Sequence, residues 1–188
     1  MTTKIGFCGS HSTGKTTLAR RLYEDIPDSY LVSEVAREYA PEDLKNCETQ
    51  KNILIDQMRQ ETFASIRSFT GTRSDVVITD RTVVDNAAYL SNVCGLKKGY
   101  KVLALLYKWI DTYDVIFFCP IENIPLTDDG FRRTNNTERD LIELIIKKYI
   151  GILQRRHIGR FVCLSGDEGE RYETVIQTLT RYPVDGDW

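Results

Sequence analysis

Lys15 and Thr16 close the stretch Gly9-Ser10-His11-Ser12-Thr13-Gly14-Lys15-Thr16, two glycines, a lysine and a hydroxyl at a spacing that suits a polyphosphate. The glycines let the backbone turn tightly, so that successive N–H groups converge on one phosphate. A lysine here reaches the terminal phosphates, and the threonine hydroxyl offers an oxygen to Mg²⁺. The flanks fit: an apolar run over residues 5–8 leads in, and Leu18, Leu22 and Ile26 follow at helical spacing, which is the strand–loop–helix setting of a P-loop. Gly9, Ser12, Thr13, Gly14, Lys15, Thr16 and Thr17 are therefore the expected phosphate-binding residues. Lys15 reads as an exposed loop lysine, and the side chains of His11 and Ser12 as bystanders whose backbones do the binding.

Two further groups could work beside that loop. Val76-Val77-Ile78-Thr79 is an apolar strand ending in Asp80, the Walker-B pattern, in which the acid holds Mg²⁺ or its water shell. The next residue is Arg81, where AAA-type motors and helicases place a second acid to polarise water. Arginine suits the binding of an anion or of developing negative charge. Neither an NKxD segment nor a DxxG after the third strand is present, which argues against a GTPase switch. Glu34 and Arg37 follow the second strand, and Arg132 and Arg133 sit in a loop marked by Pro125, Asp128-Asp129-Gly130 and Asn135-Asn136. Arg139 falls in the first turn of the next helix, against the positive end of its dipole. That placement calls for a compensating partner, such as an anionic ligand.

The elements that must position these residues alternate along the chain. Strands are expected at about 4–8, 29–33, 75–79, 115–119 and 160–164, and helices at about 15–25, 46–69, 82–93, 99–113 and 137–157, with a last one after Asp167. Regular alternation gives an α/β fold with a parallel sheet between helical layers. In such a sheet the carboxyl ends of the strands line the ligand crevice, so the P-loop, Glu34, Arg37 and Asp80 should meet there. Asp85 and Tyr89, four apart on the fourth helix-forming stretch's predecessor at 82–93, are candidates to touch substrate. Val102, Leu105, Leu106, Trp109 and Ile110 form an apolar stripe, read as core or a subunit contact.

Composition narrows the classes. The chain has 188 residues, 41% of them hydrophobic, enough for one domain over 1–188 with a sizeable core. Its net charge of −2 gives no support to a grip on nucleic-acid backbone and does not exclude one. Five scattered cysteines without a CxxC pair argue against both a disulfide framework and a zinc site. Without a signal pattern or an apolar run of membrane-spanning length, a reducing, cytoplasmic setting is expected.

Taken together, the P-loop, Glu34-Val35-Ala36-Arg37, Asp80-Arg81 with Asp85 and Tyr89, and Asp128-Asp129-Gly130-Phe131-Arg132 resemble the nucleoside and nucleotide kinase group of P-loop proteins. Within it they are most similar to the ribosylnicotinamide-kinase-like family of small AAA-type proteins. The resemblance implies a P-loop NTPase three-layer sandwich, a five-stranded parallel sheet and a lid at about 121–139. It implies that Lys15 and the loop amides hold ATP, that Thr16 and Asp80 manage Mg²⁺, and that Glu34 takes the proton of an attacking hydroxyl. Arg81 would bind acceptor or γ-phosphate beside Arg37, Arg132, Arg133 and Arg139 would close over the phosphoryl group, and Ser165 to Asp167 would border adenine. The expected activity is ATP- and Mg²⁺-dependent transfer of the γ-phosphate to a hydroxyl of a nucleoside- or nucleotide-like acceptor. Similarity to phage kinases keeps DNA, through a terminus or a hydroxymethylated base, as an alternative acceptor, with a nucleoside monophosphate kinase as another and a non-kinase ATPase switch as the remote one. The sequence shows no counterpart of the adenylyltransferase domain found in some ribosylnicotinamide kinases, and leaves homo-oligomerisation open.

Overall fold

The computed structural model describes residues 2–67, 76–122, 124–125 and 136–180. Five short strands, β1 (Thr3–Cys8), β2 (Tyr30–Val32), β3 (Val76–Asp80), β4 (Val115–Phe118) and β5 (Phe161–Cys163), form one parallel sheet in the order β2-β3-β1-β4-β5. This is the expected α/β architecture. β1, β3 and β4 are almost wholly buried, as strands covered on both faces must be. Two helices, α1 (Lys15–Asp25) and α7 (Glu168–Leu179), cover one face. There Leu18, Leu22, Val175 and Leu179 pack on Ile5, Phe7, Ile78 and Phe117, each leucine contributing about 2 kcal/mol by leaving water.

The opposite face carries α2 (Cys47–Arg67), α3 (Val83–Cys94), α4 (Leu96–Tyr100), α5 (Leu103–Ile110) and α6 (Asn136–Leu153). Its core joins Val84, Ala88, Leu106, Ile110, Ile142, Ile146 and Tyr149 to Ile116 and Phe118 of the sheet. The helix expected over 99–113 is two helices, because the chain turns at Lys101-Val102. α4 then lies on α3, while α5 sends Leu106 and Ile110 inward and leaves Leu105 exposed. Trp109 is partly buried and donates its indole N–H to Glu61 at 2.7 Å, a polar tether in what the spacing read as apolar stripe. Glu61 also accepts from Lys4 Nζ at 3.2 Å and Tyr113 hydroxyl at 2.5 Å, which anchors α2 to β1 and to the α5–β4 turn.

The cysteines correct the sequence reading. Cys47, at the start of α2, and Cys94, at the end of α3, form a disulfide with Cα atoms 5.3 Å apart. Spacing along the chain could not reveal the pair, because only the packing of α2 on α3 brings the two ends within bonding reach. The cysteine argument for a reducing compartment loses its premise. Among the described residues, no helix is long and apolar enough to cross a membrane.

Candidate functional site

The parallel register builds the site. β1 is the middle strand, and Phe7, two residues before Gly9, pairs with Asp80 at the end of β3. The loop leaving β1 therefore starts beside the β3 carboxylate. Gly9 has φ +152°, and a Cβ there would lie 2.4 Å from the Cys119 carbonyl oxygen, so no side chain fits. Gly14 has φ +81° with open space around it, and what requires glycine there is the left-handed backbone alone. Gly14 caps α1 without a side-chain hydrogen bond, and the first turn of α1 has no acid. The N–H groups at the start of such a helix can bind an anion. Thr17, in that turn, is exposed.

Lys15 corrects the picture of an exposed loop lysine: it is 4% exposed. Its Nζ donates to the Ser10 carbonyl and, at 3.1 Å, to Thr13 Oγ1. Burial, with the positive charge of Arg81 close by, lowers its pKa to about 8. Thr16 Oγ1 donates to Asp80 Oδ2 at 2.7 Å. Burial raises the pKa of Asp80, against the opposing pull of Lys15 and of the Thr16 hydrogen bond. Asp80 Oδ1 is buried with no hydrogen-bond partner among the described residues, an orphaned oxygen beside a threonine hydroxyl. Such a set suits a hard divalent cation that takes one carboxylate, phosphate oxygens and water. No cluster of three or more metal-ligating side chains exists among the described residues.

Arg81 joins this end of the sheet to a second compartment. Its backbone is strained at φ +102°, and it is held by Arg81 N to the Phe7 carbonyl at 3.1 Å and by Gln57 Nε2 to the Arg81 carbonyl at 3.3 Å. The guanidinium is 3% exposed. Nε donates to Glu34 Oε1 at 2.6 Å, and Nη1 lies 3.5 Å from the Gly9 carbonyl and 3.6 Å from Asp85 Oδ1. Burial works against its charge, but Glu34, with Tyr89, Asp85 and Asp80, overrides it and raises the pKa. Glu34 is itself buried and also takes Arg37 Nε at 3.1 Å. Glu34 and Arg37 therefore make more than an exposed surface pair, although Arg37 keeps much of its side chain in solvent.

Beyond Arg81 lies a cavity of about 530 Å³, with Ala36, Leu44, Lys45, Gln50 and Ile53 on one side, Asn86, Tyr89 and Val93 on the other, and His11 and Glu138 at its ends. Tyr89 lines this cavity, with its hydroxyl 3.3 Å from His11 Nδ1 and its ring 5.1 Å from the Arg81 guanidinium carbon. Asp85 does not. It is fully buried, accepting Gly9 N–H at 2.8 Å through Oδ1 and Thr82 N–H at 2.8 Å through Oδ2. Its task is to complete the α3 capping box and to hold the first glycine of the loop. Its neighbour Asn86 faces the cavity instead. That amide is 3% exposed, and its Nδ2 has no partner among the described residues.

A second cavity, of about 510 Å³, flanks the P-loop on the side of α7, lined by Thr13, Gly14, Leu18, Ile124, Gly166 and Asp167 among others. Asp167 lines it while capping α7, accepting Glu170 N–H at 2.9 Å. Arg139 is engaged with the backbone of the P-loop. Its Nε donates to the His11 carbonyl at 3.2 Å and its Nη2 to the Ser12 and Ile124 carbonyls at 2.7 and 3.0 Å. These backbone carbonyls compensate its position at a helix start. Arg132 and Arg133 lie outside the described residues. Arg171, which the sequence reading passed over, is buried and donates to the Gly166, Thr13 and Pro120 carbonyls at 2.9 to 3.3 Å. The signal was there: a charge standing four residues before Val175, in the apolar stripe of α7. Burial raises the pKa of the Cys8 and Cys119 thiols, the latter to about 12, so neither is a ready nucleophile.

A family model described as AAA domain matches residues 4–171. No curated protein matches the sequence. Among solved structures, NadR protein in complex with NR superposes with a TM-score of 0.72 at 23% identity, over 96% of this chain and 51% of that one. NadR with NAD and AMP-PNP gives 0.67 at 20%, over 100% and 51%. The present chain thus spans about half the length of NadR. Deoxyadenosine kinase from M. mycoides, with products dCMP and dCDP, gives 0.60 at 16% identity over 95% of this chain and 99% of that one. At these identities the likeness is one of fold.

Proposed function

Since this chain belongs to the AAA-domain family and has the fold of P-loop nucleoside kinases, we propose that it transfers the γ-phosphate of ATP to a hydroxyl of a nucleoside- or nucleotide-like acceptor. The observation that carries this reading is the position of Arg81. It lines the 530 Å³ cavity, pairs with Glu34 at 2.6 Å and reaches the Gly9 carbonyl at 3.5 Å. A group seated in the cavity would thus meet the phosphate loop across one ion pair. A cavity of this volume falls in the range of small-molecule sites.

In this reading Lys15 and the N–H groups of the P-loop hold the triphosphate, and the cavity beside Asp167 takes the base of the donor. Thr16 and Asp80 would hold Mg²⁺, which supplies charge neutralisation to the transferring phosphoryl group. Glu34 accepts the acceptor's hydroxyl proton as the new oxygen–phosphorus bond forms. Arg81 orients Glu34 and offers positive charge to the phosphoryl oxygens. Asn86 and Tyr89 bind the acceptor, and Arg139 docks the base of the lid on the loop. The absence of a second acid after Asp80 supports an acceptor other than activated water.

Incubation of the purified chain with γ-labelled ATP, Mg²⁺ and separate panels of free nucleosides, nucleoside monophosphates and DNA tests the proposal. Label on the hydroxyl of a free nucleoside or nucleotide is the expected result. Label only on the phosphate of monophosphates, only on DNA, or release of inorganic phosphate independent of any acceptor would overturn it.

A further inference from the structure

The Cys47–Cys94 bond joins the two walls of the acceptor cavity. Leu44, Lys45 and Gln50 on one wall bracket Cys47, and Val93 on the other adjoins Cys94. The first wall is lightly built. From Val35 to Asn46 the chain makes two short 3-10 turns, and residues 40–46 are exposed apart from a partly buried Leu44. Besides the pairing of Arg37 with Glu34, side-chain ties run to the helix that follows: Tyr39 hydroxyl to Asp56 at 2.5 Å and Gln50 Nε2 to the Leu44 carbonyl at 2.6 Å. The disulfide ties it covalently to α3. Both cysteines are partly exposed, so small thiols and disulfides can reach them. Lys98 Nζ lies 3.9 Å from Cys47 Sγ, and an ammonium at that position favours the thiolate that exchange requires.

We propose that Cys47 and Cys94 are a reversible thiol–disulfide switch on the acceptor site, the bonded form holding the 40–48 wall in place and the reduced form releasing it. The inference rests on reading the cavity as the acceptor site. The oxidant is a small disulfide such as glutathione disulfide. The Cys47 thiolate attacks one of its sulfurs, breaking that S–S bond and expelling a glutathione thiolate. The Cys94 thiolate then attacks the mixed disulfide at the Cys47 sulfur and expels the second. Two electrons pass from the protein to the glutathione disulfide, and the two cysteine protons end on the two released glutathiones. A dithiol reverses both steps. Release of the wall obliges the acceptor to order it on binding, a cost equivalent to roughly three- to tenfold in affinity.

The test uses the full chain, equilibrated with dithiothreitol or with glutathione disulfide. Mass spectrometry of alkylated digests reads the bond, amide hydrogen exchange reads the wall, and kinetics with adenosine and deoxyadenosine read the site. Oxidation should join the Cys47 and Cys94 peptides and slow exchange over residues 40–48 at least threefold, leaving residues 9–17 unchanged. It should also lower the nucleoside KM roughly three- to tenfold, with the double variant Cys47→Ser/Cys94→Ser indifferent to the oxidant. Separate glutathione caps on the two cysteines would overturn the switch. So would a lower Tm on reduction with exchange and KM unchanged, which is the behaviour of a plain structural brace. If neither nucleoside is phosphorylated, the acceptor is not an adenine nucleoside, and the exchange over 40–48 still decides whether the bond controls that wall.

Discussion

The two ends of the site are built in different ways. The phosphate end is a contiguous loop whose groups are already engaged: Lys15 on Ser10 and Thr13, Asp85 on Gly9, Arg139 on His11 and Ser12, Arg171 on Thr13. The proposed acceptor end is gathered from the P-loop, the turns before α2, α2 itself, α3 and the start of α6, and it keeps a buried amide without a partner among the described residues at Asn86. A triphosphate is the same in every reaction of this kind, and a rigid backbone cradle suffices for it. An acceptor differs from enzyme to enzyme, and side chains from several elements can change without disturbing the cradle.

The largest effect should come from the phosphate end. Lys15→Ala should lower kcat by about 10³-fold, since it removes a buried positive charge from the path of the transferring phosphoryl group. Stability should hold within about 1 kcal/mol, because the burial that lowers the Lys15 pKa also makes that charge costly to the fold. Steady-state kinetics and thermal melting check both halves. Near-native turnover would erase the distinction between the two ends.

Glu34→Gln comes next and probes the junction. Loss of the proposed proton acceptor should cost roughly 10²-fold in kcat. The structure adds a consequence that the sequence hid: Glu34 is buried against Arg81 at 2.6 Å, so the substitution leaves a buried guanidinium short of charge and should destabilise the fold by about 3 kcal/mol. A stability loss with full turnover would make Glu34 a positioning residue for Arg81 and nothing more.

How far the sequence could be read follows the same division. The P-loop, the Asp80–Arg81 strand end and the five alternating strands were legible because each depends on neighbours within a few residues. Asp85 lies away from the cavity because the capping box at Thr82 and the Gly9 N–H spend that carboxylate on the backbone. Asn86 takes the face that spacing assigned to Asp85 and Tyr89 together. Arg139 and Arg171 bond carbonyls of the P-loop 127 to 158 positions away, and Cys47 meets Cys94 only through helix packing. Dipole and periodicity arguments can flag such charges as anomalous. The partner that resolves the anomaly belongs to the tertiary fold.

Asn86→Ala should act on the acceptor end alone. A buried amide donating to a bound acceptor contributes about 1 kcal/mol, so the nucleoside KM should rise about fivefold with ATP affinity unchanged. Equal losses for donor and acceptor would mean that the two cavities are coupled through α3, and that the Asp85 contact to Gly9 transmits the change.

The smallest effect is a pH dependence confined to the phosphate end. Lys15 in the nucleotide-free protein has a pKa of about 8, lowered by burial and by Arg81. A triphosphate beside it favours the ammonium, so binding raises that pKa and takes up a proton whenever the free protein has lost one. Well below pH 8 the lysine is already charged and ATP affinity should be flat. At pH 8.5 about three-quarters of the free protein is neutral at this site, and affinity should be about fourfold weaker. The sign for folding is opposite: because the folded pKa lies below that of the unfolded chain, the unfolded chain binds more protons between about 8 and 10.5, and the contribution of Lys15 to stability rises with pH there. Calorimetry of ATP binding between pH 7 and 9, in buffers of different ionisation enthalpy, measures the proton uptake directly. Lys15→Ala should abolish that uptake, while Asn86→Ala should leave it intact. Uptake that survives Lys15→Ala would move the titrating group elsewhere in the site.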